Sequence, residues 1–200
     1  MPRLAHFTDR HPKLRIEFAL DDARRDLIGD SVDVAVRIGT LGGSNVVARK
    51  VGTVDRVLVA SPAYISQAGA PGVPTDLARH TLIVGPAGRS IEAWSLHRGD
   101  KTTSVRIQGR FVIDSTEAAT TAAIAGLGIF STGQQGVLAE LHSGALIRVL
   151  PEWELGSSDI NVILPAGRAA KASARAFADF IATQVREFEA DFPSGGNSVT

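Results

Sequence analysis

The sequence predicts an α/β protein of two lobes, each a mostly parallel sheet flanked by helices. Three observations carry this. Segments with strand periodicity alternate with segments of helical periodicity along nearly the whole chain, the order that builds parallel sheets. Two breaks, at Gly85-Pro86-Ala87-Gly88 and at Pro165, are read as crossovers. They give lobe I as residues 1–84 with 165–190, lobe II as 85–164, and a flexible tail at 191–200. Finally, 200 residues with 44% hydrophobic and 21% charged side chains suit a soluble, packed core.

The elements follow in order. Residues 3–11 read as a helix end with Leu4 and Phe7 on one face, stopped by Pro12. Leu14, Ile16, Phe18 and Leu20 alternate with Arg15 and Glu17, the signature of a half-buried strand. A short helix is expected around Ala23 to Gly29, then a buried strand from Asp33 to Ile38, closed by Gly39. A glycine-rich loop, Thr40 to Asn45, leads to strands near Val46–Val51 and Val54–Ala60. Pro62 suits the first turn of a helix, and Thr75-Asp76-Leu77 starts one more helical turn. Thr81–Val84 is a short strand.

Strands are expected at Ala93–Leu96 and Ser104–Val112, joined by a turn at Gly99-Asp100. Asp114 with Glu117 three residues on forms a capping-box signature before an alanine-rich helix that Gly126 and Gly128 end. Ile129–Ser131 is a strand, Gln135–His142 a helix stopped near Gly144, and Leu146–Leu150 and Ile160–Leu164 are strands. Ala176, Phe177, Phe180, Ile181, Val185 and Phe188 fall at helical spacing and close the fold with an amphipathic helix. The residues beyond Phe192, rich in Gly and Ser, read as a loose tail.

Several chemistries find no support. Lys plus Arg equals Asp plus Glu at 21 each, so the chain lacks the basic surplus of a nucleic-acid binder. It has no cysteine, which excludes disulfides and thiolate metal sites. There is no Gly-x-Ser-x-Gly elbow. The five histidines are scattered, none paired with another at ligand spacing beside a carboxylate. Gly39–Gly43 lacks the Gly-Lys-Ser/Thr of a phosphate loop, and Gly126-Leu127-Gly128 follows a helix rather than opening one. No apolar run approaches membrane-spanning length, and the first residues lack a signal-peptide core. The expectation is a cytoplasmic protein that is no enzyme, with no cofactor, no metal and no membrane partner.

Two segments stand out as ligand contacts. Asp114-Ser115-Thr116 opens a helix, where free N–H groups and the positive dipole end favour an anion; plain capping is the alternative. Arg37-Ile38-Gly39 sits at the end of a strand, where α/β clefts are commonly lined; a solvated strand end is the alternative. Trp94 and Trp153 read as core or edge packing, and the mixed charges of Asp21–Asp26 as a solvated helix face.

Several segments together resemble the LysR-type transcriptional regulators. They are Arg10-His11-Pro12-Lys13-Leu14-Arg15-Ile16-Glu17, Asp26-Leu27-Ile28 through Asp33-Val34-Ala35-Val36-Arg37-Ile38-Gly39, and Ser44 to Gly52. Ala60-Ser61-Pro62-Ala63-Tyr64-Ile65 and Pro74-Thr75-Asp76-Leu77-Ala78-Arg79-His80 follow. Gly126-Leu127-Gly128-Ile129, Gly144-Ala145-Leu146 and Ala176-Phe177-Ala178-Asp179-Phe180 complete the series. Each is weak alone, but together they cover residues 2–190 in the family's order.

The resemblance implies the effector-binding domain of such a regulator, with the type 2 periplasmic-binding-protein fold and a small, anionic metabolite held between its lobes. It carries the ligand role to Arg37, Ile38, Gly39, Asp114, Ser115 and Thr116, and to Phe130, Ser131 and the loop that follows Phe130. It implies a homodimer whose apolar face is Leu4, Phe7, Val137, Leu138 and Leu141, residues that also suit intramolecular core. Operator DNA would be a partner only through a winged helix-turn-helix domain, which this sequence lacks. The family's first sensing-domain strand is also missing. Ser131-Thr132-Gly133 stands where the family often has a proline. A transporter's solute-binding protein, an enzyme on a related two-lobed fold and a decayed regulator fragment are the alternatives. A helix-turn-helix encoded upstream of Met1 would decide for the regulator.

Overall fold

The computed structural model describes residues 3–19, 27, 31–39, 47–86 and 93–191. The chain divides into two units, residues 1–52 with 159–200 and residues 53–158. This differs from the division expected at residues 85 and 164. The reason is a shared core: Leu58, Ala60, Tyr64, Leu77 and Leu82 pack in one cluster with Trp94, Leu96, Val105 and Ile129.

In the first unit, helix α1 (Leu4–Arg10) buries Phe7. Phe7 rests on Phe177 and Phe180, at ring separations of 5.4 and 4.8 Å. Both belong to the closing helix α5 (Ala172–Asp191). Strand β1 (Ala35–Ile38) pairs antiparallel with β9 (Ser157–Leu164), Ala35 opposite Ile163 and Arg37 opposite Asn161. The expected buried strand at 33–38 is thus shorter and lies at an edge, with Ile38 63% exposed. Among the described residues only one side of it has a neighbour strand.

Residues 14–19 form no strand. Leu14 and Ile16 are half-buried while Arg15 and Glu17 are exposed, as the alternation predicts. Alternation sorts side chains; a strand also needs a ladder partner. The expected helix at 23–29 falls outside the described residues except for a turn at Leu27, and the loop at 40–45 lies outside them.

Helix α5 buries Ala174, Ala178 and Ala182, and its aromatics flank that stripe. Spacing of four keeps the alanines on one face. Small side chains there let the helix approach Gly52 closely: a Cβ on Gly52 would lie 2.5 Å from Val185 Cγ1.

Strand β2 (Val47–Ala60) is one continuous strand where two were expected; Gly52-Thr53 does not break it. It enters the second unit at Thr53. There its alternation feeds two cores, Leu58 and Ala60 on one side and Val57 and Val59 on the other. Helix α2 (Pro62–Ala68) starts with Pro62 in its first turn and Ser61 as its cap, Ser61 Oγ accepting from the Tyr64 N–H at 3.2 Å. A 3-10 turn (Pro74–Arg79) and strand β3 (Leu82–Val84) follow.

Strands β4 (Ala93–Arg98) and β5 (Lys101–Arg106) make a separate antiparallel hairpin turning at Gly99-Asp100. The single strand expected at 104–112 is split at Ile107-Gln108. Its second part, β6 (Gly109–Val112), leaves the hairpin and pairs parallel with β3. Then come α3 (Thr116–Ile124), β7 (Ile129–Gly133), a 3-10 turn (Gln134–Val137), α4 (Leu138–Ser143) and β8 (Ile147–Val149). Gly144 ends α4 in the left-handed conformation that glycine tolerates. Strands β6, β3 and β7 pair parallel, whereas β2 meets β7 and β8 antiparallel, so the sheet is mixed.

Candidate ligand-binding site

Because β3, β6 and β7 are parallel, their carboxyl ends share one edge. Chain leaving β6 reaches α3 directly and sets the helix start at that edge. The cap is Ser115, not Asp114: Ser115 Oγ accepts from the Ala118 N–H at 3.3 Å. Extended backbone at Ser115 (φ −122°, ψ 129°) makes it the residue before the first helical turn. Asp114 is exposed, while Ser115 and Thr116 are half-buried.

Phe130 is 2% exposed and packs in the core with Val57, Val59 and Ile83. Ser131 lies within β7 rather than in a loop after Phe130, because β7 runs on to Gly133. Its hydroxyl accepts a 2.6 Å hydrogen bond from Arg56 Nη2.

In the first unit, Arg37 is half-buried at the end of β1. Gly39 takes φ +94° and donates its N–H to Asp159 O at 2.8 Å. Its carbonyl accepts from Asn161 Nδ2 at 3.4 Å. Asn161 is buried and was not singled out from sequence. The end of β1 is therefore held from below by β9, which fixes the direction in which Arg37 and Ile38 leave the sheet.

The five expected interface residues separate into two groups. Phe7 and Val137 are buried within their own units. Leu4, Leu138 and Leu141 are half-buried and keep surface for a neighbour.

Sequence reasoning missed the most distinctive polar group of the second unit. Arg56 is half-buried in the middle of β2, and burial lowers its pKa below the ordinary arginine value. Among the described residues its guanidinium forms no ion pair, and Ser131 is its one side-chain hydrogen-bond partner. It lines an open pocket of ≈ 240 Å³ with Ala93, Trp94, Ser95, His97 and Leu155. Backbone bonds hold the segment around Leu155: Glu154 exchanges hydrogen bonds with His97, and Gly156 O accepts from Arg56 N–H at 2.9 Å. Trp94 is 3% exposed, and its indole N–H has no acceptor among the described residues. The available signal was a charged pair, Asp55-Arg56, at the start of the apolar run Val57–Ala60.

Among the described residues no three His, Asp or Glu side chains are grouped to hold a metal, and no helix is long and apolar enough to cross a membrane.

The model of the LysR substrate binding domain matches residues 1–186. An HTH-type transcriptional regulator of Xanthomonas campestris pv. campestris is 32% identical over 195 residues, which are 96% of this chain and 56% of that protein. An uncharacterized HTH-type transcriptional regulator of Haemophilus influenzae is 34% identical over 82% of this chain and 57% of its own length. The chain thus spans little more than half of these curated relatives. Among solved structures, the regulatory domain of CrgA, a LysR-type transcriptional regulator from Neisseria meningitidis, superposes with a TM-score of 0.79 at 25% identity, covering 92% of this chain and 90% of that one. Full-length AphB, the Vibrio cholerae virulence activator, gives 0.74 at 28% identity, over 92% of this chain and 62% of that one.

Proposed function

The chain belongs to the LysR substrate-binding domain family, and from that membership we propose that it is the effector-sensing part of a transcription regulator that binds a small, anionic metabolite. The observation that supports this is the α3 start. Ser115 caps a nine-residue helix at the carboxyl edge of three parallel strands, with Thr116 beside it. Ligands of open α/β sheets gather at such edges, and the unpaired N–H groups of a helix start attract negative charge. Ser131 and the backbone beyond Phe130 add polar groups at the same edge. Arg37, Ile38 and Gly39 are the proposed ligand residues of the first unit.

In this reading, effector binding is read out by a winged helix-turn-helix domain that grips operator DNA. The sensing chain itself pairs as a homodimer through Leu4, Leu138 and Leu141. The setting is the cytoplasm, and the chain carries no catalytic role.

A panel of small metabolite anions screened by thermal shift identifies the effector, and calorimetry then measures its affinity for the Ser115→Ala, Thr116→Ala chain. Loss of one or two hydrogen bonds to a charged group corresponds to about 1.5–3 kcal/mol each. Unchanged affinity would reduce these residues to capping and sink the site assignment.

A further inference from the structure

We propose that Arg56 is a positioning residue of the effector site: it holds the Ser131 hydroxyl so that its proton is presented to an anionic group at the carboxyl edge of β3, β6 and β7. The proposal rests on the effector-sensing reading above and adds to it a residue that sets the preference for negative charge. Three observations lead there.

The first is place. In the antiparallel register of β2 and β7, Arg56 stands opposite Gly133, the last residue of β7, and Leu58 opposite Ser131. In the parallel register of β3 and β7, Ile83 stands opposite Phe130, which sets Ser131 level with Val84, the last residue of β3. Val84 in turn stands opposite Val112, where β6 ends before α3. Ser131 therefore lies at the edge to which the α3 start belongs, on the other face of the sheet. Leu58, opposite Ser131, packs with Trp94 and Leu96 of the hairpin, whereas Ala119 and Ala122 of α3 pack with Phe130.

The second is the direction of one hydrogen bond. Arg56 Nη2 donates to Ser131 Oγ at 2.6 Å. A guanidinium only donates, and a hydroxyl has one proton beside its two lone pairs, so the proton of Ser131 is left for another acceptor. None is present among the described residues. Ser131 is 9% exposed, and a buried donor without an acceptor is costly. A group arriving at the edge with acceptor oxygens satisfies it.

The third is charge. Among the described residues no carboxylate pairs with the Arg56 guanidinium. Accepting a bond from a cation makes the hydroxyl a stronger donor in turn. A neutral acceptor meets that proton alone, whereas an anion also gains from the positive charge behind it. Arg56 acts through Ser131 and sets which charge the edge favours.

The test uses the full chain labelled with ¹⁵N and titrated with acetate. Amide signals of Thr116 and Glu117 report the α3 start, and that of Thr132 reports the neighbourhood of Ser131. So small a ligand binds in the millimolar range. The expected result is a saturable shift at these amides with one shared dissociation constant. Arg56→Gln and Ser131→Ala each weaken acetate about tenfold, the order of one lost charge-assisted contact. Because the arginine acts through the serine, the double variant should lose no more than the more affected single variant; independent contacts would lose about a hundredfold. Arg56→Lys, which keeps a charged donor, should recover part of the affinity. A residue that only ties β2 to β7 changes stability and leaves these affinities alone.

Unchanged acetate affinity in either single variant, multiplied losses in the double variant, or a loss in Arg56→Lys as large as in Arg56→Gln each overturn the proposal. The effector site itself survives those outcomes as long as the Thr116 and Glu117 signals still move. If those two amides do not move in the native chain, the reading of the α3 start fails, and this proposal with it. Should Arg56→Gln not fold, Arg56→Lys takes its place in the cycle with Ser131→Ala.

Discussion

Arg56 Nη2 donates a 2.6 Å hydrogen bond to Ser131 Oγ, joining the middle of β2 to the strand whose carboxyl end faces the proposed effector site. The pair lies near Leu58↔Ser131 and Arg56↔Gly133 in the antiparallel register, so the arginine reaches back along its neighbour. Ser131→Ala removes the guanidinium's one side-chain partner among the described residues. A hydrogen bond to a charged group is worth about 1.5–3 kcal/mol. Urea unfolding should show a loss of that order. A change under about 0.5 kcal/mol would mean that water replaces the hydroxyl at no cost.

His80 should make stability fall in mild acid. Burial lowers its pKa from the ordinary 6.5, with nearby Asp76 opposing. Tyr64 Oη accepts from the Thr81 N–H at 2.9 Å and lies within hydrogen-bond distance of His80 Nδ1 at 3.2 Å. Above pH 6.5 folded and unfolded chains both hold the neutral ring and the contribution is complete. As pH falls through 6.5 the unfolded chain takes up the proton first, and stability drops until the lower folded pKa is passed. His80→Gln should flatten this part of the curve of stability against pH. An identical curve in the variant would rule His80 out as the cause.

Gly128 should tolerate no side chain. It has φ +153°, and a Cβ there would lie 2.3 Å from the carbonyl oxygen of Thr81. Backbone cannot swing aside as a long side chain can. Gly128→Ala is expected to cost about 3 kcal/mol or more, from overpacking and strain together. Gly126→Ala, also at positive φ but with its nearest contact at 3.5 Å, should cost less. The two melting curves are compared directly, and equal losses would show that conformation alone governs both sites.

Leu138 and Leu141 should control association. Both lie on α4 with part of their surface exposed, whereas Val137 and Phe7 are already used inside their units. Light scattering of the native chain should give twice 21.0 kDa. Leu138→Glu, Leu141→Glu should lower it to the monomer with an unchanged circular dichroism spectrum. A native chain that is monomeric at all concentrations would remove these leucines from any interface.

Element type was legible wherever periodicity and punctuation agreed. Pro62 after Ser61, Gly144 after His142 and the Gly99-Asp100 turn each mark an end that the chain obeys. What escaped depends on partners. Nothing local to Gly52-Thr53 says that β2 continues through it; the strand persists because its two halves find neighbours. Gln108 does not announce that β6 departs for β3. Residues 14–17 alternate correctly and still form no strand. The α3 cap was legible as a segment but misplaced by one residue, since Asp and Ser are about equally good caps and only backbone geometry chooses. Arg56 was visible as a charge at the start of an apolar run, yet its meaning rests on Ser131, far away in sequence.

The two units also differ in how they can be made. The second is a single stretch, residues 53–158, whereas the first is assembled from both ends of the chain. During synthesis β1 must wait for β9, and α1 for α5, with the entire second unit emerging in between. Closing contacts so distant in sequence is slow, and domains generally fold as units while the ribosome proceeds. The second unit is therefore expected to fold first and the first unit to close afterwards. Pulse-labelled hydrogen exchange during refolding should show amides of β3 and β7 protected before those of β1. The reverse order would mean that the ends find each other while the middle is still unfolded.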